Sequence, residues 1–179
     1  VAVGHIAELL DEELGTHFNE SPYSLGLLHD IGQLVMFRLD PEKYEQVYSL
    51  SMNDQISLIQ AEARIFGITH QQAGSWIAEK WGLSEYVQSV NGNHHNLAGI
   101  EDVELRLAGS LVQLANFIAN NIRLNFGYRK LRTEDDIPEA WEMIQVRSVR
   151  AQDTDFNDFL LDLEEHWGAV REMVKLLNM

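Results

Sequence analysis

Cysteine is absent from the chain, which removes disulfide bridges, thiolate metal ligands and thiol nucleophiles together. A reducing compartment suits such a chain, and a cytoplasmic setting is the expectation. Positive charge is scarce: 13 Lys and Arg face 28 Asp and Glu, for a formal net charge of -15. A surface of that sign repels phosphate backbones and anionic lipid, so neither direct nucleic-acid binding nor membrane-surface binding is expected. Long apolar runs are missing as well. The most apolar stretch, Leu25 to Leu39, is interrupted by His29, Asp30 and Gln33 and falls short of the roughly 20 residues a membrane helix requires. The three prolines, Pro22, Pro41 and Pro138, each stand near a helix start, where a missing N–H costs little.

What is present suffices for a core: 45% of 179 residues are hydrophobic, consistent with one domain spanning 1–179. The apolar spacing is that of helices, and sustained alternation of period two is not found. Val1 to Leu14 reads as a first helix, so the chain is expected to begin inside a longer polypeptide. Ser21 caps a helix expected to run to about Leu39; Pro41 opens one through Met52, and Asp54 to Phe66 follows until Gly67 stops it. Thr69 with Gln72 has the form of a capping box, opening a helix from His70 to about Trp81, and Ser84 caps Glu85 to His95. Leu107, Leu111, Leu114, Ile118 and Ile122 recur at steps of three and four, the strongest helical stripe in the chain; a second runs from Phe156 to Leu177. Between them, Gly127 to Pro138 reads as an exposed connection. Trp76, Trp81, Trp141 and Trp167 are expected as core anchors, and the basic cluster Arg123, Arg129, Lys130 and Arg132 as solvated charge.

Five residues carry the chemistry. Imidazole and carboxylate are the ligands that iron, manganese and zinc take when no thiolate is at hand, and the chain offers His29, Asp30, His70, His94 and His95. His29 and Asp30 are adjacent, hence about 100° apart on a regular helix. Gly26 and Gly32 flank them and permit close packing. His70 stands in a first helical turn and the His94-His95 pair at a helix end, where side chains can converge on one pocket. His5, His17 and His166 lack such spacing and are expected as surface or hydrogen-bonded core groups.

Taken in order, Gly26-Leu27-Leu28-His29-Asp30-Ile31-Gly32, Glu62 with Phe66-Gly67, His70-x-x-x-Gly74, Trp81-Gly82-Leu83 and His94-His95 resemble the HDOD family, the HD-related output domains of bacterial signalling proteins. The resemblance covers about Val1 to Ile122. It implies an all-α, multi-helix HD-domain-like bundle related to HD phosphohydrolases and HD-GYP cyclic-di-nucleotide phosphodiesterases. It also implies a helical segment upstream of Val1, or an oligomer contact in its place. His29 and Asp30 match the superfamily's HD pair, His70 its next histidine, and His94 and His95 its His-His pair. Asn116 stands where that superfamily carries an Asp, Gln33 where HD-GYP proteins carry a lysine, and no GYP motif follows His95. A neutral amide is a poor replacement for a carboxylate at a divalent ion. The resemblance therefore implies a signalling module that works through protein partners, its pocket a structural or ligand-sensing centre for which two states stay open, one holding a divalent iron, manganese or zinc ion and one a metal-free polar core of hydrogen-bonded histidines. The alternative is a metal-dependent phosphohydrolase acting on a phosphate ester or cyclic nucleotide.

Overall fold

A computed structural model of the chain describes residues 1–121, 137–163 and 168. Those residues form helices joined by turns, and no strand occurs among them. The helices are α1 (Ala2–Leu14), α2 (Pro22–Leu28), α3 (Ile31–Leu39), α4 (Pro41–Asp54), α5 (Leu58–Phe66), α6 (His70–Lys80), α7 (Glu85–Asn93), α8 (Val103–Asn121), α9 (Ile137–Arg147) and α10 (Phe156–Asp162), with a 3-10 turn at Leu97–Gly99. Among the described residues, no helix is long and apolar enough to cross a membrane.

The chain gathers into two compact units. One joins 1–27 to the chain from 95 onward, and the other is the continuous segment 28–94. In the first unit α1 and α9 pack on α8. Val3, Ile6, Leu10 and Leu14 form the buried stripe of α1, and Leu107, Leu111, Leu114 and Ile118 that of α8. Full burial of each such side chain stabilises the unit by roughly 1.5–3 kcal/mol. Helix α1 ends on Gly15, left-handed at φ 63, the conformation glycine adopts without steric cost. The backbones of α1 and α2 meet through two glycines: a Cβ on Gly26 would lie 2.7 Å from the Val3 carbonyl oxygen, and one on Gly4 2.8 Å from that of Tyr23. Trp141 of α9 is buried with its ring centroid 5.1 Å from those of Phe156 and Phe159, a typical aromatic spacing.

In the second unit α6 packs on α3 and α7, and α4 pairs with α5. Met36, Tyr44, Val47, Ala61 and Ala73 form its buried centre, with Tyr48, Ile65 and Phe66 against it. Side chains cap the helix starts as the sequence pattern suggests. Asp40 accepts from the Lys43 N–H, Ser84 from the Val87 N–H, and Thr69 with Gln72 closes a reciprocal capping box. Gly32 is the tightest point: a Cβ there would fall 1.9 Å from the His70 carbonyl oxygen, so α3 reaches α6 because residue 32 has no side chain.

Several expectations are corrected. The helix expected from Pro22 to Leu39 is two helices, with His29 and Asp30 in the turn between them and Asp30 at φ -110, ψ 20. The expected helix start at Asp54 moves to Leu58. Gln55 turns left-handed at φ 53 after α4, and Ser57 with Gln60 forms a capping box that begins α5 afresh. Trp76 and Trp81 are not core anchors, being 56% and 58% exposed. Helix α6 turns its small residues inward, Ala73, Gly74 and Ala78 beside His70, which sends Trp76 outward beneath the Lys80 ammonium. Helix α7 stops at Asn93, leaving His94 as its C-cap. The basic cluster, the connection up to residue 136, Ile122, His166, Trp167 and the C-terminal stripe past Leu163 lie outside the described residues.

Replacing Gly32 by Ala should cost at least about 2 kcal/mol, because the new methyl would drive α3 off the α6 backbone. Gly92→Ala is the control: its Cβ would sit 3.4 Å from Ser75 Oγ, and alanine favours the helix. Urea unfolding of both variants checks this, and equal midpoints would contradict it.

Candidate metal centre

The turn between α2 and α3 decides what Asp30 does. Asp30 occupies the N-cap position of α3, where an Asp side chain ordinarily accepts a first-turn N–H, but it makes no such bond. Its carboxylate turns instead to histidines. Oδ2 lies 3.1 Å from His29 Nε2, while Oδ1 lies 3.4 Å from His70 Nε2 and 3.3 Å from His94 Nε2. Asp30, His70 and His94 each present a ligand atom, all within 4.8 Å of one another. His29 and His94 stack edge to face with centroids 5.1 Å apart. All three imidazoles are buried. The Asp30 side chain is 35% exposed, yet its Oδ1 is buried.

The other ring nitrogens fix which atoms face Asp30. His94 Nδ1 lies 3.0 Å from the Val90 carbonyl oxygen; a carbonyl only accepts, so Nδ1 carries the proton and Nε2 presents its lone pair. His70 Nδ1 lies 2.7 Å from Glu62 Oε2, and in the neutral ring donation to that carboxylate leaves Nε2 as an acceptor. Two imidazole lone pairs and a carboxylate oxygen thus confront one another. Acceptors converging in a buried place is the arrangement that a cation resolves.

Glu62 completes the support. It is fully buried, and a carboxylate in that position is tolerable only when donors surround it. Oε2 also accepts the His70 backbone N–H at 2.8 Å, and Oε1 accepts the Tyr44 hydroxyl at 2.8 Å. Burial, and then Glu62 beside it, push the Tyr44 phenol upward, so the hydroxyl stays protonated and donates.

Charge at the centre follows from the same neighbours. Burial pushes the Asp30 carboxyl up, but the charge and hydrogen bond of His29 beside it outweigh that and hold it well below the ordinary carboxylate range. Burial drives His94 down to about 4 against the opposing pull of Asp30. At neutral pH the pair is carboxylate and neutral imidazole, the protonation states that metal ligands need.

Of the residues singled out in the sequence, His29, Asp30, His70 and His94 come together in the second unit. His95 follows His94 in the chain and is where the chain re-enters the other unit. Asn116 lies in that unit too, buried on α8, its Oδ1 accepting from Asn120 at 3.3 Å. His5 stacks on Tyr23 with centroids 4.8 Å apart, and His17 is an exposed residue of the connection after α1, with φ 53. Two contributors went unassigned in the sequence. Glu62 had a signal, an acid inside the apolar stripe Leu58, Glu62, Ile65 and Phe66; Tyr44 had none.

A family model for the HDOD domain matches residues 1–97, more than half of the 179 in the chain. The chain belongs to the HDOD family. The resemblance read from the motifs is borne out, as is the all-α bundle. A solved structure, an HDOD domain protein with unknown function from Geobacter sulfurreducens, shares 27% sequence identity with a TM-score of 0.75; the match covers 97% of this chain and 59% of that one. This HDOD chain therefore spans little more than half the length of that relative. No curated protein matches it.

The His94 shift makes stability pH-dependent. Between its ordinary 6.5 and about 4 the unfolded state binds the proton better than the folded state. Stability is therefore full above about 6.5 and falls as pH drops towards 4, by up to the order of 3 kcal/mol. The depressed Asp30 carboxyl adds a loss of the same sign at lower pH. Urea midpoints of chelator-treated protein across pH 7 to 4 check this; a flat profile would contradict it.

Proposed function

We propose that this chain is a regulatory output module of bacterial, cytoplasmic signalling, whose histidine-aspartate centre holds a divalent cation and whose helical surface engages protein partners. The observation that carries the reading is the convergence of Asp30 Oδ1 with the Nε2 atoms of His70 and His94, both of whose protons are directed elsewhere. His29, Asp30, His70 and His94 would hold the ion, with His95 as a further ligand. Iron, manganese and zinc all suit nitrogen and oxygen donors without thiolate. Bound there, the ion supplies positive charge that balances Asp30 and ties the ends of α3, α6 and α7 together.

Charge argues against turnover at this centre. Phosphoryl chemistry needs cationic groups where negative charge develops, and in this unit Lys43 lies over Phe66, Lys80 over Trp76, Arg64 beside Asp54, and Arg38 is exposed in the last turn of α3, at the opposite end of that helix from Asp30. Gln33 supplies no charge, and Asn116 no carboxylate. Metal-dependent phosphohydrolysis is the alternative that the test must separate.

Calorimetric titration with manganese should show binding, and metal at about 100 times Kd should raise stability by about 2.7 kcal/mol. Asp30→Ala should weaken binding by more than the roughly 10- to 100-fold typical of outer residues, and the wild type should leave a generic phosphodiester intact. A wild type that takes up no metal would remove the cation from the proposal. Manganese-dependent turnover abolished in Asp30→Ala would overturn the non-catalytic assignment.

A further inference from the structure

We infer that Glu62 and Tyr44 are positioning residues for the centre and couple its occupancy to the α4–α5 helix pair. The inference rests on the centre being a cation site. Glu62 Oε2 takes two N–H groups of His70, from the backbone at 2.8 Å and from the ring at 2.7 Å. The imidazole is thereby held at both its root and its far edge, with Nε2 aimed at Asp30 Oδ1. His94 receives the weaker version of this support, a neutral carbonyl from its own helix. An anionic acceptor raises the basicity of the ring it orients more than a neutral one does, so Glu62 makes His70 the stronger donor of the two.

The chain of contacts continues away from the centre. Glu62 Oε1 accepts the hydroxyl of Tyr44 on α4. The Tyr44 ring is fully buried, with centroids 5.1 Å from Tyr48, 6.0 Å from Phe66 and 6.3 Å from Phe37. Two hydrogen bonds thus run from α4 through α5 to a ring facing the centre, a third holds that residue's backbone, and all lie in the core, where such bonds polarise one another. An ion that pulls on His70 Nε2 strengthens the bond from Nδ1 to Glu62 and, through it, the hold on Tyr44. The α4–α5 pair is tightened when the centre is filled and loosened when it is empty, which turns occupancy into a difference on the outside of the unit.

The test uses the full chain with Co2+ as the ion. Glu62→Gln should weaken Co2+ binding about 10- to 100-fold and shift the ligand-field absorption of the bound ion. A purely structural Glu62 would leave that band where it is. In the wild type, Co2+ should slow amide hydrogen exchange across 41–66. Tyr44→Phe should bind Co2+ within a few-fold of wild type and lose that protection. Unchanged affinity and spectrum in Glu62→Gln, or no protection at 41–66 in the wild type, would overturn the inference and leave the cation site standing. A wild type that binds no Co2+ would sink both. If Glu62→Gln does not fold, Tyr44→Phe decides: loss of metal-induced protection supports the coupling, and its retention overturns it.

Discussion

An aspartate oxygen faces two imidazole nitrogens whose protons are engaged on their far sides, and the second unit is arranged around that confrontation. Left to local preference, Asp30 would cap α3 and the histidines would share protons with it. Each support instead removes an easier alternative. The turn at His29 and Asp30 takes the carboxylate off helix-capping duty. The Val90 carbonyl and the Glu62 carboxylate occupy the Nδ1 protons of His94 and His70. Burial then withholds a second proton from His94. In the proposed reading, these groups are a set of ligand atoms that a bound cation would join.

Packing makes the confrontation affordable. Gly32 lets the start of α3 approach the α6 backbone at His70, and Gly74 lies against Asn91 of α7 on the next turn. Side chains at either position would part the helices carrying Asp30, His70 and His94. The same contacts explain why α6 shows its tryptophans to solvent: the face with His70, Ala73, Gly74 and Ala78 is committed to close approach, and bulk has to go elsewhere. Site geometry and helix packing are here one constraint, and loss of one glycine would be felt at the centre before it was felt in the rest of the chain.

Much of this was legible in the residues. Capping boxes, helix-ending glycines and three-four spacing locate α4, α6, α7 and α8 within a few residues, because each is a short-range signal. The convergence of His29, Asp30, His70 and His94 was legible too, as residue types near helix ends. The break at His29 and Asp30 was not: an apolar run from Leu25 to Leu39 has helical composition throughout, and the groups Asp30 meets there, His70 and His94, lie forty or more positions away. Glu62 stood in the family motif and as an acid in an apolar stripe, neither of which gave it a role, and Tyr44 is indistinguishable in sequence from any aromatic core residue. Exposure of Trp76 and Trp81 depends on which face of α6 meets its neighbours, a tertiary choice that hydrophobicity alone gets backwards.

The directness of the proton placement makes it open to measurement. Long-range nitrogen-15 correlation spectra of metal-free protein at neutral pH report, ring by ring, which imidazole nitrogen bears hydrogen. His70 and His94 should both show Nδ1 protonated and Nε2 bare. A proton on Nε2 of either ring would mean that it simply hydrogen-bonds Asp30, leaving a polar core with no call for a cation.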